Sequence, residues 1–337
     1  MLQDILAWIL WPLSLFYGGY VILRALAYRK GILRQSRLDA TVISVGNLTT
    51  GGTGKTPMVL WIAQRLLDEG KSTGILTRGY RGQALSGVAT SDEVELLKKR
   101  LGEGVRLGVG ANRFARGREL VQAGVEWFVL DDGFQHLRLA RDVDIVLIDA
   151  TNPFGGGRLL PSGRLREPRS ALARANIVVI TRSNHAPAIE AAVRRDSGAP
   201  IFYARTQLDS VRVLRGPYPG EEDPNARTRR FFAFCGLANP SAFLTDVQDW
   251  GFHVAGHRFF PDHHSYMQHD IDAVGEQAHA AGADALICSE KDVFNLSAVK
   301  WRLFDIWFCR ISLRIGREDE FWQTVTAIAR SRSRSGK

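Results

Sequence analysis

Cysteine is scarce. The 337-residue chain has three, Cys235, Cys288 and Cys309, and none shares a C-x-x-C spacing. So sparse and odd a set excludes a disulfide framework and a zinc ribbon, and points to a reducing compartment. Long apolar runs are scarcer still: one exists, near the amino terminus, which excludes a polytopic membrane protein. No internal repeat is present. With 45% hydrophobic and 23% charged residues the chain is neither disordered nor collagenous, and its length suits one large or two ordinary domains. Acid is short relative to base, 35 Asp+Glu against 44 Lys+Arg, a formal charge of +9. That excess favours anionic partners such as nucleotides, phospholipid surfaces or nucleic acid, without choosing among them.

The apolar run is Ile5 to Leu23, ILAWILWPLSLFYGGYVIL, with no charged residue. Nineteen residues at 1.5 Å rise reach about 28 Å, near the thickness of a bilayer core. Trp8, Trp11, Tyr17 and Tyr20 suit an interface, and Arg24, Arg29, Lys30, Arg34 and Arg37 follow. The positive-inside rule keeps that basic flank, and the chain beyond it, on the cytoplasmic side of the membrane. A cleaved signal peptide competes through Ala25-Leu26-Ala27, but Asp4 stands where a basic n-region belongs. Pro12 and Gly18-Gly19 fit a spanning helix less well than one lying on the bilayer or docked on the protein, and both arrangements stay open.

Beyond the basic linker, apolar runs at 40–45, 72–76, 125–130, 143–148 and 177–180 read as buried strands, alternating with helical stretches such as 59–67. The expectation is an α/β fold, a parallel sheet with helices on both faces. After about Phe202 the texture changes. A Pro-, Gly- and charge-rich linker at 216–230 precedes runs at 231–235, 252–254, 285–288 and 306–311, which suit a smaller α/β unit. The expected organisation is an apolar helix and linker over 1–35, a core domain over 36–205, a smaller domain over 206–330 and a basic tail over 331–337.

The first strand runs into Gly46-Asn47-Leu48-Thr49-Thr50-Gly51-Gly52-Thr53-Gly54-Lys55-Thr56. A phosphate-binding loop needs glycines so that main-chain amides converge on oxygens, a lysine for the β/γ-phosphates and a hydroxyl for Mg²⁺. Gly51, Gly52 and Gly54, Lys55 and Thr56 meet these needs in turn. The nucleotide contacts are therefore expected from Thr49, Thr50, Gly51, Gly52, Thr53, Gly54, Lys55 and Thr56. Thr49 stands where the usual spacing has its first glycine. Asp131-Asp132, closing the 125–130 strand, fit the acidic pair that such a site needs around its metal; Asp149 is a weaker candidate.

These residues, taken with Gly133-Phe134-Gln135-His136 and Leu139-Ala140-Arg141-Asp142, resemble the D-D-G-x-Q-H…L-x-R-D block of the tetraacyldisaccharide 4′-kinase family. The loop from Gly46 to Pro57 is similar to that family's G-N-L-T-x-G-G-x-G-K-T-P, which also lacks the first glycine. Further likenesses are Thr77-Arg78-Gly79-Tyr80, Leu160 to Glu167 (LPSGRLRE), Phe260-Pro261-Asp262-His263 and Ser289-Glu290-Lys291-Asp292. Departures are Ser91-Asp92-Glu93-Val94 for G-D-E-P, Gly155-Gly156-Gly157 for G-N-G, and Ser162 and Arg164 for Ala and Pro. They touch acyl-chain and sugar details more than the type of reaction.

The resemblance implies ATP-dependent phosphorylation of the 4′-hydroxyl of tetraacyldisaccharide 1-phosphate, giving lipid IV-A in lipid A synthesis. The enzyme would be a monomer at the cytoplasmic face of the inner membrane, with ATP and Mg²⁺ and no nucleic acid. It also points to Asp92, assisted by His263, as the group that takes the hydroxyl proton; spacing alone would not pair them. Thr56, Asp131, Asp132 and Glu167 are the metal candidates. Arg78, Arg113, Gln135 and Arg166 are the candidates for substrate or phosphate contact, since a guanidinium offers forked donors to oxyanions.

Three other readings fit the residues less well. Zinc at His253, His257, His263, His264 and His269 lacks a cysteine at ligand spacing, and structural roles suit His264 and His269 better. A P-loop switch ATPase of the partitioning type is the alternative function, but such proteins carry a lysine where Thr50 stands. A nucleic-acid-binding protein rests on net charge and a short tail, and explains neither Lys55 nor Asp131-Asp132.

Overall fold

A computed structural model of the chain describes residues 2–79, 83–85, 88–214, 221–222, 226–296, 299–300 and 304–335. Tyr80 of the T-R-G-Y segment, residues 216–220 and 223–225 of the expected linker, and the last two residues of the basic tail lie outside the described residues.

Along the chain the elements are α1 (Leu2–Arg29), β1 (Thr41–Asn47), α2 (Lys55–Asp68), β2 (Thr73–Thr77), β3 (Gln83–Leu85), β4 (Val88–Thr90), α3 (Asp92–Leu101), β5 (Val105–Val109), α4 (Arg113–Gln122), β6 (Trp127–Asp131), β7 (Val143–Asp149) and β8 (Ile177–Thr181). They continue as α5 (Pro187–Asp196), β9 (Ile201–Leu214), β10 (Glu221–Glu222), β11 (Arg230–Cys235), α6 (Pro240–Asp249), β12 (His253–Phe259), α7 (Gln268–Ala280), β13 (Ala285–Ser289), α8 (Glu290–Asn295), β14 (Ile306–Ile315) and α9 (Glu318–Ser335). Two compact units result. The first gathers Met1–Gly79, Arg100–Arg205 and Leu313–Lys337; the second gathers Tyr80–Lys99 and Thr206–Ser312.

In the first unit the strands lie in the order β9-β8-β7-β1-β6-β2-β5, and each neighbouring pair is parallel. Parallel strands covered on both faces need continuous apolar runs, which is why all seven residues of β7 and all five of β8 are buried. After β1 the chain builds towards β5 on one side, inserts β6, and then continues with β7 on the other side. Ligands of such sheets sit beyond the carboxyl ends of the strands where the order reverses. Here those ends are Asn47, Asp131 and Thr77. Val146, Ile148, Val178, Ile180, Leu172 and Val193 form one core cluster, and Leu38, Val42, Leu76, Phe128 and Leu130 a second. α9 returns to this unit: Phe321 meets Trp61 of α2 and Phe202 edge to face at 5.5 and 5.3 Å.

α1 is one uninterrupted helix through Pro12 and Gly18-Gly19. Among the described residues it alone is long and apolar enough to cross a membrane, over Leu10–Arg29. One stripe of it, at i, i+3, i+7 and i+10, is committed to the first unit. Ser14 Oγ donates to Ser162 Oγ (2.7 Å) and accepts from the Ser162 N–H (3.0 Å). Tyr17 donates to the Arg166 carbonyl (2.9 Å), Val21 is buried, and Arg24 donates to the Gln135 carbonyl (3.3 Å). Gly18 belongs to the same contact, since a Cβ there would sit 2.8 Å from Leu159 Cδ1. Trp11, Leu13, Leu15, Phe16, Tyr20 and Leu23 are all at least half exposed.

The second unit has parallel strands in the order β12-β11-β13-β14. Phe231, Ile287 and Trp307 centre one cluster, and Phe234, Tyr266 and Phe308 another. β3 and β4 form an antiparallel hairpin ahead of α3.

Candidate active site

β1 carries Gly46 and Asn47 into the phosphate-loop turn. Gly51 (φ +124°) and Gly54 (φ +85°) take backbone conformations that L side chains rarely adopt. Gly54 also caps α2 without offering a side-chain acceptor, so the first-turn amides are left for an incoming anion, favoured further by the helix dipole. The turn is braced from outside. The Thr50 N–H donates to the Arg164 carbonyl (2.8 Å), the Arg166 N–H to the Leu48 carbonyl (2.7 Å), and Thr181 Oγ1 to the Thr53 carbonyl (3.1 Å). Lys55 Nζ donates to Asn47 Oδ1 (3.4 Å) and lies 3.7 Å from Asp132 Oδ1. Asn47 Nδ2 and Thr53 Oγ1 are buried with no partner. Polar atoms so placed carry a desolvation cost that an oxyanion would relieve.

The two aspartates divide their work. Asp131, buried at the end of β6, accepts from Thr77 Oγ1 of β2 (3.1 Å). Asp132, at φ +48°, turns back and takes Arg166 Nη1 on both oxygens, at 2.8 and 2.7 Å. Arg166 Nη1 also approaches Gln135 Oε1 (3.4 Å), while Gln135 Nε2 donates to the Asn47 carbonyl (2.9 Å). Arg113, at the start of α4, is buried and its Nε lacks a partner. Burial lowers its pKa, and Arg78 adds to that, while Asp132 and Asp131 oppose it. Thus Lys55, Arg78, Arg113, Gln135, Arg166, Asp131 and Asp132 come together around the turn.

Glu167, one of the metal candidates, is paired with an arginine. Its two oxygens accept from Arg174 Nη1 (2.8 Å) and Nη2 (3.0 Å), and Arg174 stacks over Phe134. A nearly buried carboxylate held in that fork is a structural ion pair. Among the described residues no group of three or more His, Cys, Asp or Glu side chains could hold a metal ion. His253 and His257 lie on strand β12, and His264 Nε2 is 3.0 Å from Asp270 Oδ2 with its ring stacked on Phe260. Thr56 and Asp131 suit Mg²⁺, which is held through one or two protein oxygens together with phosphate oxygens and so needs no such cluster.

In the second unit Asp92 and His263 meet although they stand 171 positions apart: His263 Nδ1 lies 3.0 and 2.9 Å from the two Asp92 oxygens. The Asp92 side chain is 5% exposed. Burial acts to raise its pKa, but the His263 hydrogen bond and the Lys291 charge outweigh this and hold it below the ordinary carboxylate value. His263 is raised, chiefly by the same hydrogen bond. The imidazole is presented from a left-handed backbone (φ +58°), fixed by its N–H donating to the Gly236 carbonyl (3.1 Å). A carboxylate kept ionised and oriented by an imidazole can take a hydroxyl proton.

Residues 6–330 match the family model described as tetraacyldisaccharide-1-P 4′-kinase. The chain belongs to this family. The kinase is 37% identical over 320 residues to the tetraacyldisaccharide 4′-kinase of Desulfotalea psychrophila, covering 88% of this chain and 90% of that one. It is 40% identical over 324 residues to that of Geobacter metallireducens, covering 90% and 92%. A crystal structure of LpxK from Aquifex aeolicus in complex with ATP superposes on the kinase with a TM-score of 0.71 and 27% identity, over 96% of this chain and 99% of that one. The partitioning-type switch ATPase is not favoured by these relationships.

Sequence reading passed over Asn47, Thr77 and Thr181 as site residues. Asn47 had a signal, as the last residue of the strand feeding the turn. Thr77 and Thr181 had little, because their partners are 54 and 128 positions away.

Proposed function

We propose that the kinase transfers the γ-phosphate of ATP to the 4′-hydroxyl of tetraacyldisaccharide 1-phosphate, forming lipid IV-A. The Asp92–His263 pair carries this reading. A chain of a hydroxyl-phosphorylating family presents one ionised, oriented carboxylate, at the position where the family resemblance places the proton acceptor.

The loop amides, Lys55 and Thr53 bind the phosphates, and Arg113 and Arg166 neutralise charge that spreads over the transferring oxygens. Asp92 takes the 4′-hydroxyl proton as that oxygen bonds to the γ-phosphorus and the bond from phosphorus to the ADP oxygen breaks. His263 keeps the carboxylate turned to the hydroxyl and shares the proton. Mg²⁺, held by Thr56 and Asp131, would supply further charge neutralisation when bound.

The kinase acts as a monomer on the cytoplasmic face of the inner membrane, with α1 lying in the surface. Hydrogen bonds from Ser14, Tyr17 and Arg24 to the first unit support a resting rather than a crossing helix, because a crossing would strip them away. The basic residues 24–37 then face anionic headgroups.

Detergent-solubilised protein given γ-labelled ATP should label the disaccharide lipid, and Asp92→Asn should lower turnover by about a hundredfold or more while still binding ATP. Undiminished labelling by Asp92→Asn would overturn the assignment of the base. ATP hydrolysis stimulated by DNA, with no lipid product, would overturn the whole reading.

A further inference from the structure

The S-E-K-D segment, Ser289 to Asp292, has no part in the mechanism above, yet it is built into the surroundings of Asp92. Asp292 is nearly fully buried, and its carboxylate accepts from the Gly236 N–H (2.8 Å), the Tyr266 hydroxyl (2.7 Å) and Ser289 Oγ (2.5 Å). It therefore ties the start of α8 to Gly236, whose carbonyl fixes His263. On the next residue back, Lys291 reaches across to α3, where Nζ lies 2.8 Å from Glu93 Oε1. The Glu93 N–H in turn donates to Asp92 Oδ1 (2.8 Å). One short helix thus anchors both the imidazole and the carboxylate.

We propose that Lys291 is a positioning residue: its ammonium, held by Glu93, docks the start of α3 and keeps the Asp92 carboxylate charged for proton acceptance. This rests on the reading of Asp92 as the base. A desolvated carboxylate tends to take up a proton, and a nearby cation opposes that. The charged neighbours of Asp92 are His263, Lys291 and Glu93, with Asp262 beyond His263 at 3.8 Å. Lys291 in turn faces Glu93, Asp92 and Asp262. Burial works against its charge, but these carboxylates prevail and raise its pKa, so the ammonium persists throughout the working range.

Two single substitutions should move the acid limb of the rate profile in opposite senses. Lys291→Met removes the cation and leaves Glu93 facing Asp92. Its rate should fall about tenfold or more from pH 8 to pH 6, where the native kinase changes by less than about twofold. Glu93→Gln leaves the cation to Asp92 alone, so its limb should move to lower pH than the native one. The double variant Lys291→Met/Glu93→Gln carries no unpaired buried charge, which guards against loss of the fold, and its limb should lie between those of the two single variants. Circular dichroism at each pH confirms the folded state. Equal loss of rate at every pH in Lys291→Met, or limbs in any other order, would overturn the proposal. Asp92→Asn serves as the separate control: full activity in that variant would refute the base itself, whereas its inactivity beside unmoved limbs refutes only the role of Lys291.

Discussion

Arg166 clasps Asp132 through a single nitrogen, Nη1, which lies 2.8 and 2.7 Å from the two carboxylate oxygens, and Lys55 approaches the same carboxylate at 3.7 Å. Asp132 therefore stands between the two cations proposed to hold the phosphates. Without it Lys55 and Arg166 would repel each other and drift from the turn. Asp132→Asn should lower turnover about tenfold or more, yet shift the thermal midpoint little, because the pair is partly exposed. Steady-state kinetics and a melting curve on the same preparation check this.

Gly46 leaves the end of β1 against the Asp131–Phe134 turn. A Cβ there would fall 2.5 Å from Phe134 Cβ and 2.7 Å from its backbone nitrogen, neither of which can swing away. Gly46→Ala should destabilise the protein by about 2–3 kcal/mol, as overpacking of a core does. Urea unfolding measures the difference.

Gly54 is different, since a Cβ would meet only Thr181 Cγ2 at an ordinary 3.7 Å. The obstacle is its left-handed backbone at φ +85°, which costs an alanine about 1–2 kcal/mol. Relaxing that strain would turn the loop amides off their target, so Gly54→Ala should weaken ATP binding about tenfold or more, by calorimetry.

His136 titrates near 4 because of burial and the charges of Arg113, Arg141, Arg24 and Arg138. A depressed histidine binds its proton more readily when unfolded. Its contribution to stability is therefore whole above pH 6.5 and is lost as pH falls towards about 4. The loss amounts to at most about 3 kcal/mol. Chemical denaturation from pH 7.5 to 4.5 should show this slope, and His136→Gln should flatten it.

Phe16 and Leu23 lie on the exposed side of α1, at 78% and 68% exposure. Phe16→Asp/Leu23→Asp should reduce flotation with anionic phospholipid vesicles about tenfold or more, while the turnover of detergent-dispersed lipid stays near native. Unaltered flotation would show that α1 is not the membrane-binding surface.

Local patterning made much of this legible. The β-branched runs at 143–148 and 177–180 are the strands β7 and β8, because a parallel strand buried on both faces must be apolar throughout. The phosphate loop was equally plain, since converging amides demand glycines beside one lysine and one hydroxyl within a few residues. β5 and the long β9 were missed: VRLGV alternates at a sheet edge, and β9 carries polar residues through most of its length.

By itself the sequence determined the glycine-rich turn after β1, the apolar helix and the acidic pair after β6, since each depends on neighbours in the chain. Only the tertiary structure decided which partner each carboxylate meets. Glu167 was captured by Arg174, Asp132 by Arg166, Asp92 was joined to His263 across 171 positions, and Glu93 beside it to Lys291 across 198. A carboxylate's charge and availability depend on which cations and donors the fold brings within a few ångströms, and no local pattern encodes that distance.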